Sequence, residues 1–243
     1  MRWDKKELSL RVFLKDAFEE IFNVDSKFLK TLRLLLTKPG FLTNEAIAGR
    51  KVPYIKPFRL YVIAVVLHFL IFSFFKSGDI FTIDRFPIFQ LVPGIHQIVK
   101  KYELKSDLSH EVFTVALNQK IKDNLTVLVY FLVFILALYF KLLYLHSGKY
   151  YIEHLYCLLH LMSFALFRNV MLIPLLMFDF VAVAVVILLT TQLAYIFISL
   201  RTVYHESLAK TVVKVALVMM GFFLVFIPGI FISMAIGILQ IIF

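Results

Sequence analysis

The run "VALVMMGFFLVFIPGIFISMAIGILQIIF", residues 215–243, carries no charged side chain. A helix that crosses a bilayer needs about 20 predominantly apolar residues, and this run is longer. Pro228-Gly229 divides it into halves that are each too short to span at about 1.5 Å of rise per residue. We therefore predict one tilted or kinked transmembrane helix here, with a re-entrant hairpin as the alternative.

The composition of the whole chain points to the same environment. Hydrophobic residues make up 61% of it, and the mean hydropathy is +0.87, whereas soluble domains are about half apolar. The net charge is +10, but the basic residues flank apolar runs and no nucleic-acid recognition module is present. We therefore predict attraction to anionic lipid headgroups and no nucleic-acid partner. The single cysteine, Cys157, rules out an intramolecular disulfide.

The apolar runs predict an all-α fold, a polytopic transmembrane helix bundle of about five spans. A polar loop at residues 76–124 follows the first span, and "SHEVFTVALNQKI" within it is a candidate helix with Ser109 as its cap. The bundle would then occupy residues 59–243. The predicted spans are Leu60–Phe75, Leu125–Leu145, Ile152–Leu172, Leu175–Leu200 and Val215–Phe243.

The N-terminal arm, residues 1–58, contains two amphipathic stripes, at 9–22 and 28–36. Both stripes have helical spacing, yet neither is long or apolar enough to span a bilayer. Two helices lying in the cytoplasmic interface fit this pattern. Packing of the same two helices against the bundle, as a small cap, is the alternative.

The distribution of positive charge predicts the orientation. The N-terminal arm should be cytoplasmic, with the loop at 76–124 on the other side. The connections at 146–151 and 201–214 then return to the cytoplasm. With five spans, the C-terminus lies outside.

The third predicted span begins in "YYIEHLYCLLHLMSF", residues 150–164. At 100° per residue, Glu153, Cys157 and His160 share one helix face, and His154 lies at its margin. Ionisable groups at membrane depth are costly unless paired or hydrated, so this face should point at protein or water.

Three interpretations of this face stay open. Zinc accepts carboxylate, thiolate and imidazole ligands, but the spacing matches no established motif and needs a fourth donor, such as His68, His205 or Glu206. Proton or ion handling would use His160, which titrates near neutrality beside Glu153. An interhelical hydrogen-bond lock is the third interpretation. We predict no cofactor, with zinc as the one candidate.

A second polar segment, "LRTVYHESLAKT", follows the fourth predicted span. By topology its His205 and Glu206 lie on the same side as Glu153. Asp179 could pair with Arg168 at the opposite rim. Gly-rich phosphate loops, HExxH pairs and serine-nucleophile elbows are absent from the sequence.

At "TLRLLLTKPGFLTNEAIAGRKVPYIKPFRLY", residues 31–61, the chain resembles a family of bacterial membrane proteins known as domain of unknown function 3667. The resemblance extends from about Val12 to Lys214 and includes a Tyr-x-Glu-His pattern followed by a histidine. The matching residues are Lys38-Pro39-Gly40, Gly49-Arg50-Lys51, Tyr54, Pro57-Phe58, Tyr151, Glu153, His154 and His160.

Two features depart from the family pattern. Many members begin with a Cys-rich ribbon that this chain does not have, and His205 and Glu206 replace the family's Gly and Gln. The resemblance implies a polytopic membrane protein but supplies no activity. Together with the distribution of positive charge, it leads us to expect the bacterial inner (cytoplasmic) membrane, with the N-terminus cytoplasmic.

Three functional hypotheses follow. A non-enzymatic membrane component would form a pore, a carrier or an assembly partner, binding lipids, further copies of the chain or other membrane proteins. An intramembrane enzyme acting on a lipid headgroup would use Glu153 and His160 as acid and base or as metal ligands. A membrane-disrupting effector would use the amphipathic arm and the apolar tail. Candidate residues for holding an anionic headgroup are Arg50, Lys51, Tyr54 and Arg59.

Overall fold

The computed structural model describes residues 26–50, 52–74, 95–104, 106, 109–178 and 180–242. These residues form helices and no strand, so the predicted all-α fold is confirmed. The first amphipathic segment (residues 9–22), Lys51 and Asp179 lie outside the described residues. The helices are α1 Ser26–Thr37, α2 Phe41–Ile47, α3 Pro57–Phe74, α4 Ile95–Glu103, α5 His110–Leu143, α6 Tyr151–Met177, α7 Val181–Tyr204 and α8 Leu208–Ile242, with a 3₁₀ turn at Leu145–Ser147.

Four of these helices, α5 to α8, are long and apolar enough to cross a membrane. They confirm a transmembrane helix bundle. α3 is a shorter apolar helix of 18 residues. At about 1.5 Å per residue its length falls just below the roughly 30 Å of a hydrocarbon core. The fifth span therefore stays a prediction.

The last apolar run forms a single helix, α8, and Pro228 lies inside it. Proline removes one backbone hydrogen bond but does not have to end a helix that its neighbours hold in place. The neighbour here is α5, whose Leu128 side chain lies 3.1 Å from the position of a Cβ at Gly229. Close packing along α5 thus carries the helix through the proline, and the hairpin alternative is not observed.

α5 extends further toward the N-terminus than the predicted second span. The helix predicted in the loop is present, but it continues without a break into the span, so residues 110–124 belong to α5. Leu117, Ile121 and Leu125 are all buried, and their four-residue spacing carries one apolar stripe across the predicted boundary. Ser109 occupies the N-cap position, without a side-chain capping bond.

The contact between α5 and α8 depends on the absence of a side chain at Gly221. A Cβ at this position would overlap the ring of Tyr139. The ring is fixed because the Tyr139 hydroxyl donates a hydrogen bond of 2.7 Å to the Leu217 carbonyl on α8. Small residues allow such close approach between membrane helices.

The two N-terminal helices, α1 and α2, pack against α6 and α7. Leu35 and Leu42 are buried there, at 1% and 4% exposure. The hydroxyl of Tyr195 on α7 donates a hydrogen bond of 2.8 Å to the Leu35 carbonyl. Gly40, at φ 80°, turns the chain between α1 and α2 against Thr202. Of the two predicted N-terminal helices, only the second, at 28–36, is among the described residues, as part of α1. Its packing is that of the cap alternative, a position in the membrane interface stays a prediction, and α2 was not predicted.

We expect Gly221→Ala to destabilise the protein by about 1–3 kcal/mol, because the added methyl group overpacks the α5–α8 contact. Thermal unfolding in detergent would measure the loss. The double variant Gly221→Ala with Tyr139→Leu is the control, since removal of the ring makes room for the methyl group. A melting temperature of Gly221→Ala equal to that of the wild type would contradict this packing argument.

Candidate functional site

The α5–α6 connection and the α7–α8 connection lie together at one end of the bundle. They enclose a cleft of about 430 Å³, a volume within the usual range of small-molecule sites. We call it the basic cleft, because three lysines and one glutamate line it. Its lining residues are Leu143, Tyr144, His146, Ser147, Lys149, Val203, Tyr204, His205, Glu206, Lys210 and Lys214.

A stack of aromatic rings forms one wall of the basic cleft. The rings of Tyr144 and Tyr204 lie parallel with their centroids 3.6 Å apart. Nδ1 of His154, on α6, is 2.7 Å from the Tyr204 hydroxyl. On the other side of the stack, Lys214 Nζ lies 3.6 Å from the Tyr144 ring centroid, a cation–π contact. The stack therefore joins α6, α7 and α8 at the end of the bundle.

Two ion pairs hold acidic side chains beside the same cleft. Lys214 Nζ is 2.6 Å from Glu206 Oε1, and Lys149 Nζ is 3.9 Å from Glu153 Oε1. The other oxygen of Glu153 accepts a 2.6 Å hydrogen bond from the backbone N–H of Tyr150. Glu153 therefore caps the first turn of α6, where a carboxylate is favoured by the free N–H groups and the helix dipole.

One hydroxyl in the cleft wall has no hydrogen-bond partner among the described residues. Tyr144 is 2% exposed, and its hydroxyl oxygen is buried without a protein partner. Burial, and secondarily the Glu206 carboxylate, raise the pKa of Tyr144. The phenol therefore keeps its proton, and it can donate that proton in a hydrogen bond.

His160 lies in a separate environment, against the N-terminal helices. It is 4% exposed, and its Nδ1 is 3.0 Å from the Thr43 hydroxyl on α2. The cavity beside it measures about 10 Å³, and Arg50, Tyr54 and Pro57 contribute to its lining. This volume holds about one water molecule.

The structure separates the residues that share the predicted face of α6. Glu153 caps the helix, Cys157 is buried at 1% exposure, and His160 contacts α2. His154, placed at the margin of that face by the sequence, is the residue that reaches the aromatic stack. Among the described residues, no three His, Cys, Asp or Glu side chains are grouped to hold a metal ion. The candidate zinc ligands are therefore not brought together.

The segment after α7 contributes to the basic cleft through both predicted residues. His205 is the C-cap of α7, with a positive φ of 54°. This left-handed conformation ends the helix and turns the chain toward α8. Glu206 follows, paired with Lys214.

Of the residues predicted to hold a headgroup, those that the structure describes do not line the basic cleft. Arg50 donates to both oxygens of Glu45, at 2.7 to 3.1 Å, and these bonds lower the pKa of Glu45. Lys30 Nζ lies 5.2 Å from the ring centroid of Tyr54. Arg59 is exposed in the first turn of α3. Tyr54 and Arg50 thus lie beside His160, away from the basic cleft.

Arg168, further along α6, joins that helix to α7. Its guanidinium donates hydrogen bonds to Gln192 Oε1 at 2.7 Å and to the Leu188 carbonyl at 3.1 Å. The Gln192 and Leu188 oxygens, which are neutral, thereby satisfy part of the hydrogen-bonding capacity of the charged guanidinium at membrane depth.

Sequence reasoning missed Thr43, Tyr144 and Lys214 as members of these sites. Thr43 sits in a short helix without any polar pattern that singles it out. Tyr144 and Lys214 flank the ends of apolar runs, where aromatic and basic residues are common at headgroup level. Only the meeting of the two connections puts Tyr144 and Lys214 in contact.

The model of the family described as Protein of unknown function (DUF3667) matches residues 25–69. This match supports the predicted resemblance to that family over this segment. The matched segment runs from the start of α1 into α3, so it includes Thr43 and the whole turn that packs on α6 and α7. No curated protein and no solved structure matches the chain.

We expect Thr43→Val to destabilise the protein by about 1–3 kcal/mol, because a buried imidazole nitrogen loses its hydrogen-bond partner while the side-chain shape is kept. Thermal unfolding in detergent is the measurement. Thr37→Val is the matched control, since Thr37 is exposed and its hydroxyl bonds only to the Arg33 carbonyl of its own helix. Equal melting temperatures for the two variants would show that the His160 contact adds nothing to stability.

Proposed function

We propose that this integral membrane protein is a non-enzymatic membrane component, an assembly partner rather than a pore or an ion carrier. The hydrogen bond between His160 and Thr43 is the observation that carries the proposal. His160 is the residue best suited by its chemistry for proton handling. In the structure, its Nδ1 instead forms a hydrogen bond with Thr43 on another helix. A side chain held in this way stabilises an arrangement of helices.

The other polar groups of α6 support the same proposal. His154 bonds to Tyr204, Arg168 bonds to α7, and Glu153 caps its own helix. The cavity next to His160 has room for about one water molecule. A conducting path needs a continuous row of hydrated sites, whereas Glu153, His154 and Arg168 of α6 bond to protein groups.

The described part of the N-terminal arm favours a membrane component over a membrane-disrupting effector. An effector would need α1 and α2 free to insert into a target bilayer. Leu35 and Leu42 are buried against the bundle, so their apolar faces already have a partner within the chain.

Exposed apolar side chains on the spans supply the surface for membrane partners. Phe131 on α5, Val186 on α7 and Phe223 on α8 are each at least 60% exposed. Lipid tails, another copy of the chain or a different membrane protein would cover them.

We assign the protein to the bacterial inner membrane, with the α1–α2 turn and the basic cleft on the cytoplasmic side. Gly40 packs on Thr202, so the turn and the α7–α8 connection share one end of the bundle. The lysines that line the cleft lie at this end, and positive charge favours the cytoplasmic side.

In liposomes of the purified protein, we expect ion flux no greater than in empty liposomes, and the same for His160→Ala. We also expect no release of headgroups from phospholipid. Flux in the wild type that His160→Ala abolishes would replace the proposal with a pore or carrier. Headgroup release that Glu153→Gln abolishes would replace it with an enzyme. Collapse of the membrane potential on induced expression would favour the effector.

Labelling of single cysteines tests the orientation. In a Cys157→Ala background, Ser147→Cys marks the α5–α6 connection, and Lys101→Cys marks α4. An impermeant maleimide should label Lys101→Cys in intact cells and Ser147→Cys only in inverted vesicles. The reverse pattern would place the cleft outside and overturn the assignment.

A further inference from the structure

We propose that the N-terminal arm binds the headgroups of anionic lipids through an exposed basic surface, so that α1 lies at the membrane surface while it packs on the bundle. We call this surface the arm surface. Its exposed basic residues are Lys27, Lys30, Arg33, Lys38, Arg50, Lys56 and Arg59. The inference goes beyond the assembly role proposed above and does not depend on it, since contact with headgroups is compatible with any function of the bundle.

The charge of the arm surface is the first argument. Residues 26–50 and 52–59 contain seven basic side chains, all of them exposed, and a single acidic one, that of Glu45. Arg50 binds both oxygens of Glu45, so the other six basic side chains have no acidic residue within these ranges to balance them. None of the ion pairs in the described part of the chain involves Lys27, Arg33 or Lys56. The positive potential of the arm surface therefore does not depend on any one side chain.

α1 presents its two faces to different surroundings. Thr31 and Leu35 are buried against the bundle, at 0% and 1% exposure. Lys27, Lys30 and Arg33 follow one another at a spacing of three residues, so they lie along one face of the helix, and all three are exposed. Packing on the bundle and contact with headgroups thus use different sides of the same helix.

A hydrogen bond places α1 beside the start of α3. The backbone N–H of Ile55 donates to the Thr31 hydroxyl at 3.1 Å, and α3 begins two residues later, at Pro57. From Leu60 to Phe74 this helix contains no Asp, Glu, Lys or Arg. Basic residues cluster where apolar helices enter the cytoplasmic side of a membrane. The start of α3 therefore marks the headgroup level, and α1 lies beside it.

Exposed apolar side chains among the basic residues favour a bilayer as the partner. Leu29, Val52 and Phe58 are 60%, 82% and 56% exposed. Leu29 lies four residues before Arg33 on α1, and Phe58 directly precedes Arg59. The surface of an anionic bilayer offers phosphates and, immediately beneath them, acyl chains, so it fits both kinds of side chain. An acidic protein surface is the alternative that the test has to distinguish.

Phosphatidylglycerol and phosphatidylcholine with the same acyl chains test the inference, because both carry a phosphate and only the first has a net negative charge. Native mass spectrometry of the full chain in maltoside micelles should show phosphatidylglycerol bound about tenfold more tightly, since each basic residue near a membrane surface adds to the attraction. The preference should shrink as salt is added, because ions screen exposed charges.

The triple variant Lys27→Gln, Lys30→Gln, Arg33→Gln should reduce the preference for phosphatidylglycerol about fivefold or more, because it removes the basic face of α1. The variant Lys27→Arg, Lys30→Arg, Arg33→Lys keeps the charge and should keep the preference. All three side chains are exposed, so melting temperatures should stay near that of the wild type. If the glutamine triple variant does not fold, Lys27→Gln with Arg33→Gln decides, since Lys30 alone of the three contacts an aromatic ring, that of Tyr54.

The matched control is Lys100→Gln, Lys101→Gln, Lys210→Gln, which removes three exposed lysines on α4 and α8. It changes the net charge by the same amount and should keep the preference. An equal loss in the control would show an effect of net charge alone and overturn the inference.

The inference is also overturned if the wild type binds the two lipids equally, or if a folded variant without the basic face of α1 keeps the full preference. Binding of a polyglutamate peptide without any lipid preference would assign the arm surface to an acidic protein instead. Ion flux or headgroup release by the wild type would refute the proposed function and leave the lipid preference standing, so the two failures are distinguishable.

Discussion

A polar group inside a bilayer has no water to bond with, so it must find its partner within the protein. The arrangement of this bundle follows from that constraint. His160 bonds to Thr43, His154 to Tyr204, and Arg168 to Gln192. Each of these contacts crosses from α6 to another helix. They fix where α2 and α7 lie around α6, and the apolar side chains then fill the space between them.

The same constraint explains why the N-terminal arm belongs to the bundle. α2 supplies the hydroxyl for His160, and α1 supplies the Leu35 carbonyl for the Tyr195 hydroxyl. Buried tyrosine and histidine side chains on α6 and α7 would lose these partners without the arm. The segment that matches the family model, residues 25–69, contains both partners. The matched segment therefore includes the part of this chain that completes the polar contacts of the spans.

The basic cleft arises where two connections meet, and its polar groups are satisfied only in part. Lys214 bonds to Glu206 and lies over Tyr144, yet the Tyr144 hydroxyl has no partner among the described residues. The spans are also satisfied only in part, since Arg168 Nε, Ser199 Oγ and Ser233 Oγ are buried without a partner among the described residues. A buried polar atom without a partner costs free energy in either place.

The sequence by itself determined the membrane class, the helical period and four long spans, because apolar runs such as residues 215–243 leave a backbone few alternatives to a helix in lipid. It also placed polar side chains on α6, and the 100° wheel located Glu153, Cys157 and His160 correctly along one helix. Only the tertiary structure decided their partners. Glu153 caps its own helix, and His160 bonds to Thr43, more than one hundred residues away in sequence. The Tyr144 ring contacts Lys214. Periodicity describes one helix at a time, whereas partners depend on which helices pack together.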